Sequence, residues 1–170
     1  AEQSGDRPAI LAPGSATSWL GLRRRASAWA AALARAGLVP GDRVAILCPR
    51  GPEAIAAYFG VLAAGGIAVQ LDLAFRDAQI KHILRHSGAR IVVADPGCLP
   101  QGIPHAELTL LRSTDLTRVG GRTPIARDAD DPAQLIYTSG STGLAKGVVV
   151  THGNLVASAR IVTEYLGIVS

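Results

Sequence analysis

Five segments between Arg43 and Ala94 constrain the fold more than anything else in the chain. Arg43 to Cys48, Ile67 to Leu71 and Ile91 to Ala94 are short and continuously apolar, the pattern of strands covered on both faces. Between them lie two segments of helical period. Pro52 to Ala64 carries Ile55, Tyr58, Phe59 and Leu62 along one side, and Arg76 to His86 carries Ile80, Ile83 and Leu84. Gly65-Gly66 and Gly88 supply the helix stops. A strand, a helix and a further strand in succession require a crossover that returns the chain parallel to itself. Residues 43–94 therefore predict a βαβαβ unit with right-handed crossovers. The fold class is α/β, a layered and mostly parallel sheet flanked by helices.

The flanks extend this pattern. A helix is predicted over Ser18 to Gly37, where Leu22, Ala26, Trp29 and Leu33 recur at helical spacing, Ser18 stands as N-cap and Gly37 as stop. Pro40-Gly41-Asp42 then makes a turn. Residues 95–131 weaken into Pro, Gly and charge and read as an irregular connection, with one strand around Leu108 to Leu111. Ala133 to Tyr137 and Val148 to Val150 read as strands, and Leu155, Ala159, Val162 and Leu166 mark a last helix.

At 170 residues the chain supports one core. Its apolar runs fall short of the roughly 20 residues that a membrane helix requires, and its polar start lacks the succession of a secretory signal. The expectation is a soluble, cytoplasmic protein. The net charge of +4 comes from arginines spread along the chain, which argues against nucleic acid as a partner. The dense run Arg23-Arg24-Arg25 falls within the first helix and reads as a solvated face. Cys48 and Cys98 form no CxxC pair and read as free thiols of a reducing compartment.

Chemistry concentrates in the segment between the last two strands, Thr138-Ser139-Gly140-Ser141-Thr142-Gly143-Leu144-Ala145-Lys146-Gly147. Gly140, Gly143 and Gly147 permit backbone conformations closed to other residues and a close approach to a ligand. Such a turn can aim several N–H groups at an anion. The hydroxyls of Thr138, Ser139, Ser141 and Thr142 add donors that also suit a hydrated Mg²⁺, and Lys146 brings a compact positive charge. Lys146 is one of only two lysines in an arginine-rich chain. These properties suit a polyphosphate; the plain alternative is a polar turn between two antiparallel strands. A P-loop does not fit, because counting from Gly140 puts Ala145 at its second glycine and Gly147 at its metal-binding hydroxyl. The segment also runs into a strand, where a P-loop opens a helix.

The run Leu135-Ile136-Tyr137 through Val148, followed by Thr151-His152-Gly153-Asn154-Leu155, resembles the phosphate loop of the acyl-adenylate-forming, AMP-binding superfamily of acyl-CoA synthetases, luciferases and peptide-synthetase adenylation domains. Gly41-Asp42-Arg43-Val44-Ala45, Tyr58-Phe59-Gly60-Val61-Leu62-Ala63-Ala64-Gly65 and Ile83 to Arg90 are similar to that family's N-terminal part. Two positions depart from it: Ala145 and Gln70 stand where the family often has Pro. Neither change removes a group that touches phosphate.

The resemblance implies an enzyme that joins a carboxylic acid to ATP, giving an acyl-adenylate and pyrophosphate. The acyl group then passes to coenzyme A or to the phosphopantetheine of a carrier protein. It implies that Thr138, Ser139, Gly140, Ser141, Thr142, Gly143, Lys146 and Gly147 hold the ATP phosphates, with Lys146 catalytic and Mg²⁺ sharing the charge. Thr151 to Ala159 and the helix after it look more like an acyl-CoA ligase, of fatty or other acids, than an amino-acid-activating domain. Family members are well over twice this length. The chain therefore reads as an incomplete N-terminal AMP-binding domain: core 43–94, connection 95–131, strand, phosphate loop and strand 132–151, and helix 152–168. It would be inactive alone, with an exposed apolar edge where the missing C-terminal part packs. The opposing expectation is a non-catalytic fragment that binds nucleotide or only packs.

Other polar residues read as structural. His82 and His86 are four apart on a helix, but no third ligand suggests itself, and a solvated face is expected. His152 with Asn154 is expected to cap or brace the last helix, and Asp72, at a strand end, to hold a turn.

Overall fold

All three strands and both helices of the βαβαβ unit are present. The computed structural model describes residues 5–95, 97–99, 108–116, 122–138 and 145–168. A hairpin of β1 (Pro8–Ala12) and β2 (Ser15–Ser18) leads into α1 (Trp19–Arg35). Then follow β3 (Arg43–Leu47), α2 (Pro52–Ala63), β4 (Ile67–Gln70), α3 (Asp77–Ser87) and β5 (Ile91–Ala94). β6 (Thr109–Leu111), β7 (Pro132–Thr138), β8 (Lys146–Thr151) and α4 (His152–Tyr165) complete the described elements, with a 3₁₀ turn at Ser113–Asp115.

The main sheet has the order β6-β5-β3-β4-β7-β8. Its pairs are parallel except β7 with β8, which are antiparallel. From β3 the chain crosses one way to β4, and from β4 it crosses back past β3 to β5. The order thus reverses at β3 and β4.

Alternation along each strand explains the continuous apolar runs. Val44, Ile46, Ile91 and Val93 join Trp29, Leu33, Ala57 and Val61 of α1 and α2 on one face. Ala45, Leu47, Val92 and Ala94 join Ile80, Ile83 and Leu84 of α3 on the other. A strand with helices on both sides has no face to spare for polar residues.

α1 begins where expected: the backbone N–H of Gly21 donates to Ser18 Oγ at 3.1 Å. Gly37 and Gly88 take the left-handed conformation, φ +83° and +66°, that stops a helix. Arg43 also fastens the end of α3, donating through Nε to the Ser87 carbonyl at 2.8 Å and through Nη2 to that of Gly88 at 3.2 Å. Arg23, Arg24 and Arg25 are exposed, as a solvated face should be, and Arg25 pairs with Glu53 at 3.0 Å. Cys48 and Cys98 are unpaired thiols.

α2 turns inward a different side from the one its large residues suggest. Ala56, Ala57, Gly60 and Val61 are buried, whereas Ile55 and Phe59 are 37% and 44% exposed. Small residues face α1 because the two helices approach closely there, and Trp29 fills the space. Its indole N–H donates to Glu53 Oε1 at 2.6 Å, tying α1 to α2. The β1–β2 hairpin has no counterpart in the sequence reading. At the far edge of the sheet, Val148 and Val149 of β8 are about half exposed and α4 buries none of its residues, so an apolar edge faces solvent.

Candidate functional site

β7 and β8 place the chemistry. In their register Tyr137 lies opposite Gly147 and Thr138 opposite Lys146. Cβ atoms of such directly opposed residues lie roughly 4.5–5.5 Å apart. A hydroxyl-bearing and an ammonium-bearing residue thereby stand side by side at the loop end of the hairpin. Both residues are exposed, and Lys146 has no ion-pair partner among the described residues. An unpaired cation beside a hydroxyl fits an anionic ligand. Ser139, Gly140, Ser141, Thr142 and Gly143 lie outside the described residues.

Gly147 answers to Tyr137. A Cβ at position 147 would come within 3.1 Å of Tyr137 Cζ, so the tyrosine ring lies against bare backbone there. The ring is buried, and burial pushes the Tyr137 phenol above its ordinary pKa.

A cleft of about 700 Å³ opens at the carboxyl ends of β3, β4 and β7. This is where open α/β sheets bind ligands, beside the point at which strand order reverses. Its walls include Cys48, Tyr58, Gln70, Asp72, Gln134 and Tyr137. The Tyr58 hydroxyl donates to Gln134 Oε1 at 2.9 Å, satisfying a buried amide. Asp72 holds a turn, as expected, by accepting from the Ala74 N–H at 2.9 Å, and it pairs with Arg50 at 3.2 Å. The Ala74 N–H, aided by Arg50, holds its carboxyl below the usual range. Burial first, then the nearby Asp95 charge, pushes the Cys48 thiol up to about 12, which leaves it protonated and inert. Among the described residues no three His, Cys, Asp or Glu side chains gather into a metal cage.

Two expectations are corrected. His82 and His86 are not a merely solvated face. His82 Nε2 lies 3.2 Å from the Ala145 carbonyl oxygen and His86 Nδ1 lies 2.8 Å from the Tyr137 hydroxyl. Helical spacing showed that they share a face but not that β7 and β8 stand opposite it. The cap of α4 is Thr151 rather than His152: the Asn154 N–H donates to Thr151 Oγ1 at 3.2 Å, and the Thr151 N–H to Asn154 Oδ1 at 3.1 Å. Asn154 plays its expected part.

With the sheet order and hairpin defined, comparison with known proteins identifies the class. Residues 1–168 match the family model of the AMP-binding enzymes. The chain belongs to this family of adenylate-forming enzymes. It is 36% identical over 165 residues to a feruloyl-CoA synthase of Amycolatopsis sp., covering 91% of this chain and 32% of that protein. It is 33% identical over 160 residues to syringomycin synthase SyrB1 of Pseudomonas syringae pv. syringae, covering 91% of this chain and 26% of that protein. Among solved structures, O-succinylbenzoate coenzyme A synthetase (MenE) of Bacillus subtilis in complex with AMP superposes with TM-score 0.86 at 25% identity, over 99% of this chain and 45% of that one. The AMPPNP-bound nonribosomal peptide synthetase FmoA3 superposes with TM-score 0.84 at 32% identity, over 99% of this chain and 18% of that one. The chain thus spans a third or less of the curated relatives named here. Within the described residues no helix is long and apolar enough to cross a membrane.

Proposed function

We propose that the protein to which this chain belongs activates a carboxylic acid with ATP to give an acyl-adenylate, and then forms a thioester with coenzyme A. The observation that carries this is the pairing of Thr138 with Lys146 at the loop end of the β7–β8 hairpin, in a chain of the adenylate-forming family. A carboxylate oxygen attacks the α-phosphorus, a C–O–P linkage forms and the bond from that phosphorus to pyrophosphate breaks. Negative charge grows on the departing pyrophosphate. Lys146 and the Thr138 hydroxyl meet that charge, and the glycine- and hydroxyl-rich composition of Ser139 to Gly143 suits the same task. The hydroxyls of Thr138, Ser139, Ser141 and Thr142 would hold a hydrated Mg²⁺, which would supply neutralisation of phosphate charge. The free thiols Cys48 and Cys98 support a reducing, cytoplasmic setting.

A second reading keeps the adenylation step and changes the acid and acceptor: an amino-acid-activating domain that loads a carrier protein. Similarity to SyrB1 and to FmoA3 favours it. On this division, the 170 residues are the N-terminal part of the AMP-binding domain, and the groups for adenine, ribose and acyl chain come from elsewhere. The test is carboxylate-dependent exchange of labelled pyrophosphate into ATP by the longest natural protein carrying this sequence, over fatty, aryl and amino acids. Exchange with a fatty or aryl acid and transfer to coenzyme A is the expected result. Exchange with an amino acid alone selects the second reading, and no exchange on a broad panel refutes both in favour of a non-catalytic role.

A further inference from the structure

α3 touches both strands of the β7–β8 hairpin where they meet their connecting loop. His82 and His86 project from one side of the helix with ring centroids 5.5 Å apart and planes inclined by 31°. His82 meets the carbonyl of Ala145, one peptide before Lys146, and His86 meets the hydroxyl of Tyr137, one peptide before Thr138. Each residue directed at phosphate is therefore adjacent to an atom held by α3. A carbonyl oxygen can only accept, so His82 Nε2 carries the proton of its bond. The Tyr137 ring meets His86 edge-on, with centroids 5.7 Å apart and planes at 87°, and it also lies against the bare backbone of Gly147. It is wedged between α3 and β8, so a shift of one element is felt by the other.

We infer that His82 and His86 are positioning residues for adenylation: α3 holds the Ala145 carbonyl and the Tyr137 hydroxyl so that Lys146 and Thr138 are aimed before the phosphates arrive. Lys146 stands on an exposed, many-jointed side chain with no ion-pair partner among the described residues, and its backbone sets the direction from which it reaches. A bond to the preceding carbonyl fixes that peptide plane. Misplacing a catalytic group by about 1 Å can cost on the order of 10²-fold in rate.

This inference rests on the adenylation reading, and its test keeps the two apart. His82→Ala and His82→Gln are compared in the full-length protein, since the glutamine side-chain amide can donate to the Ala145 carbonyl in place of the imidazole. Pyrophosphate exchange should fall about tenfold in kcat for His82→Ala, with KM for the acid unchanged, and His82→Gln should recover most of the loss; tenfold corresponds to one hydrogen bond of ordinary strength. Hydrogen–deuterium exchange gives a readout independent of activity. Peptides covering β8 should exchange faster in His82→Ala, those covering β3 and β5 should not, and His82→Gln should restore the wild-type rate. Unchanged kcat and unchanged β8 exchange in His82→Ala, or a His82→Gln as impaired as His82→Ala, overturns the positioning role. Faster β8 exchange reversed by glutamine, in a protein that exchanges pyrophosphate with no acid tested, upholds the brace and overturns the adenylation reading.

Discussion

Replacing Gly60 by alanine should destabilise the protein even though alanine is the better helix former. In an isolated helix the change would gain roughly 0.5–1 kcal/mol. Here the added Cβ would overlap Trp29 Cβ and lie 2.9 Å from the Ala26 carbonyl oxygen and 3.3 Å from the Ala30 nitrogen. Against an optimal heavy-atom separation of roughly 3.5 Å, the Ala26 contact is about 0.6 Å too close. Two of these three atoms are backbone, so no rotamer change relieves them. Trp29 is fully buried and held by its 2.6 Å bond to Glu53, so it cannot swing aside either. α1 and α2 must move apart, loosening the packing of Leu33, Ala57 and Val61 against the sheet. Overpacking of this kind costs about 1–3 kcal/mol or more, and with backbone as the obstacle the upper end applies. The net loss is about 2 kcal/mol, a fall in Tm of roughly 4–8 °C for a domain of this size. Thermal melting followed by circular dichroism measures it, and a Gly60→Ala protein melting at or above the wild-type temperature would refute the claim that the helices meet through backbone at this point.

Lys146→Ala should lower pyrophosphate exchange by about 10²- to 10³-fold in kcat, the usual effect of removing one preorganised donor; an unchanged rate removes Lys146 from the mechanism. Tyr58→Phe leaves the Gln134 carbonyl oxygen without its donor and should cost about 1 kcal/mol in urea unfolding. In the double variant with Gln134→Leu, part of that loss should be recovered, and strict additivity of the two changes would contradict the bond. Cys48 should resist alkylation: at pH 8 a thiol of pKa about 12 in place of 9.0 exposes on the order of 10³-fold less thiolate. Iodoacetamide labelling read by mass spectrometry checks this, with a rate like that of a free thiol as the contrary result. The same shift has a consequence for stability. The folded thiol keeps its proton to higher pH than the unfolded one, so its contribution is complete below pH 9 and declines as pH rises from 9 toward 12. Denaturant midpoints that do not fall over that range would contradict the burial of Cys48.

Much of this was legible before any coordinate. The βαβαβ unit could be read because strands covered on both faces need unbroken apolar runs, and the helices between them end at glycines such as Gly88 that adopt positive φ. The Thr138 to Gly147 segment announced itself by composition, since glycine, hydroxyls and a rare lysine suit phosphate whatever surrounds them. The β1–β2 hairpin was not legible: Ile10 and Leu11 lie among Pro, Ala and Gly with no strong alternation, and its strands are half exposed. Nor was the buried side of α2, because hydrophobic size points to Tyr58 and Phe59, while closeness of approach selects Ala56, Ala57 and Gly60.

Sequence alone thus determined the class of fold and the ends of most helices, and it marked a segment whose composition suits phosphate, because each depends on local conformation or on the chemistry of neighbours along the chain. Tertiary structure decided what lies across from what. It set Thr138 opposite Lys146 in an antiparallel register, laid Tyr137 on Gly147, and brought His82 and His86 of α3 against both strands at the loop end of that hairpin. Residues 51 and 63 positions apart meet only after the sheet has ordered its strands, and a helical period says which side chains share a face but not what that face will touch.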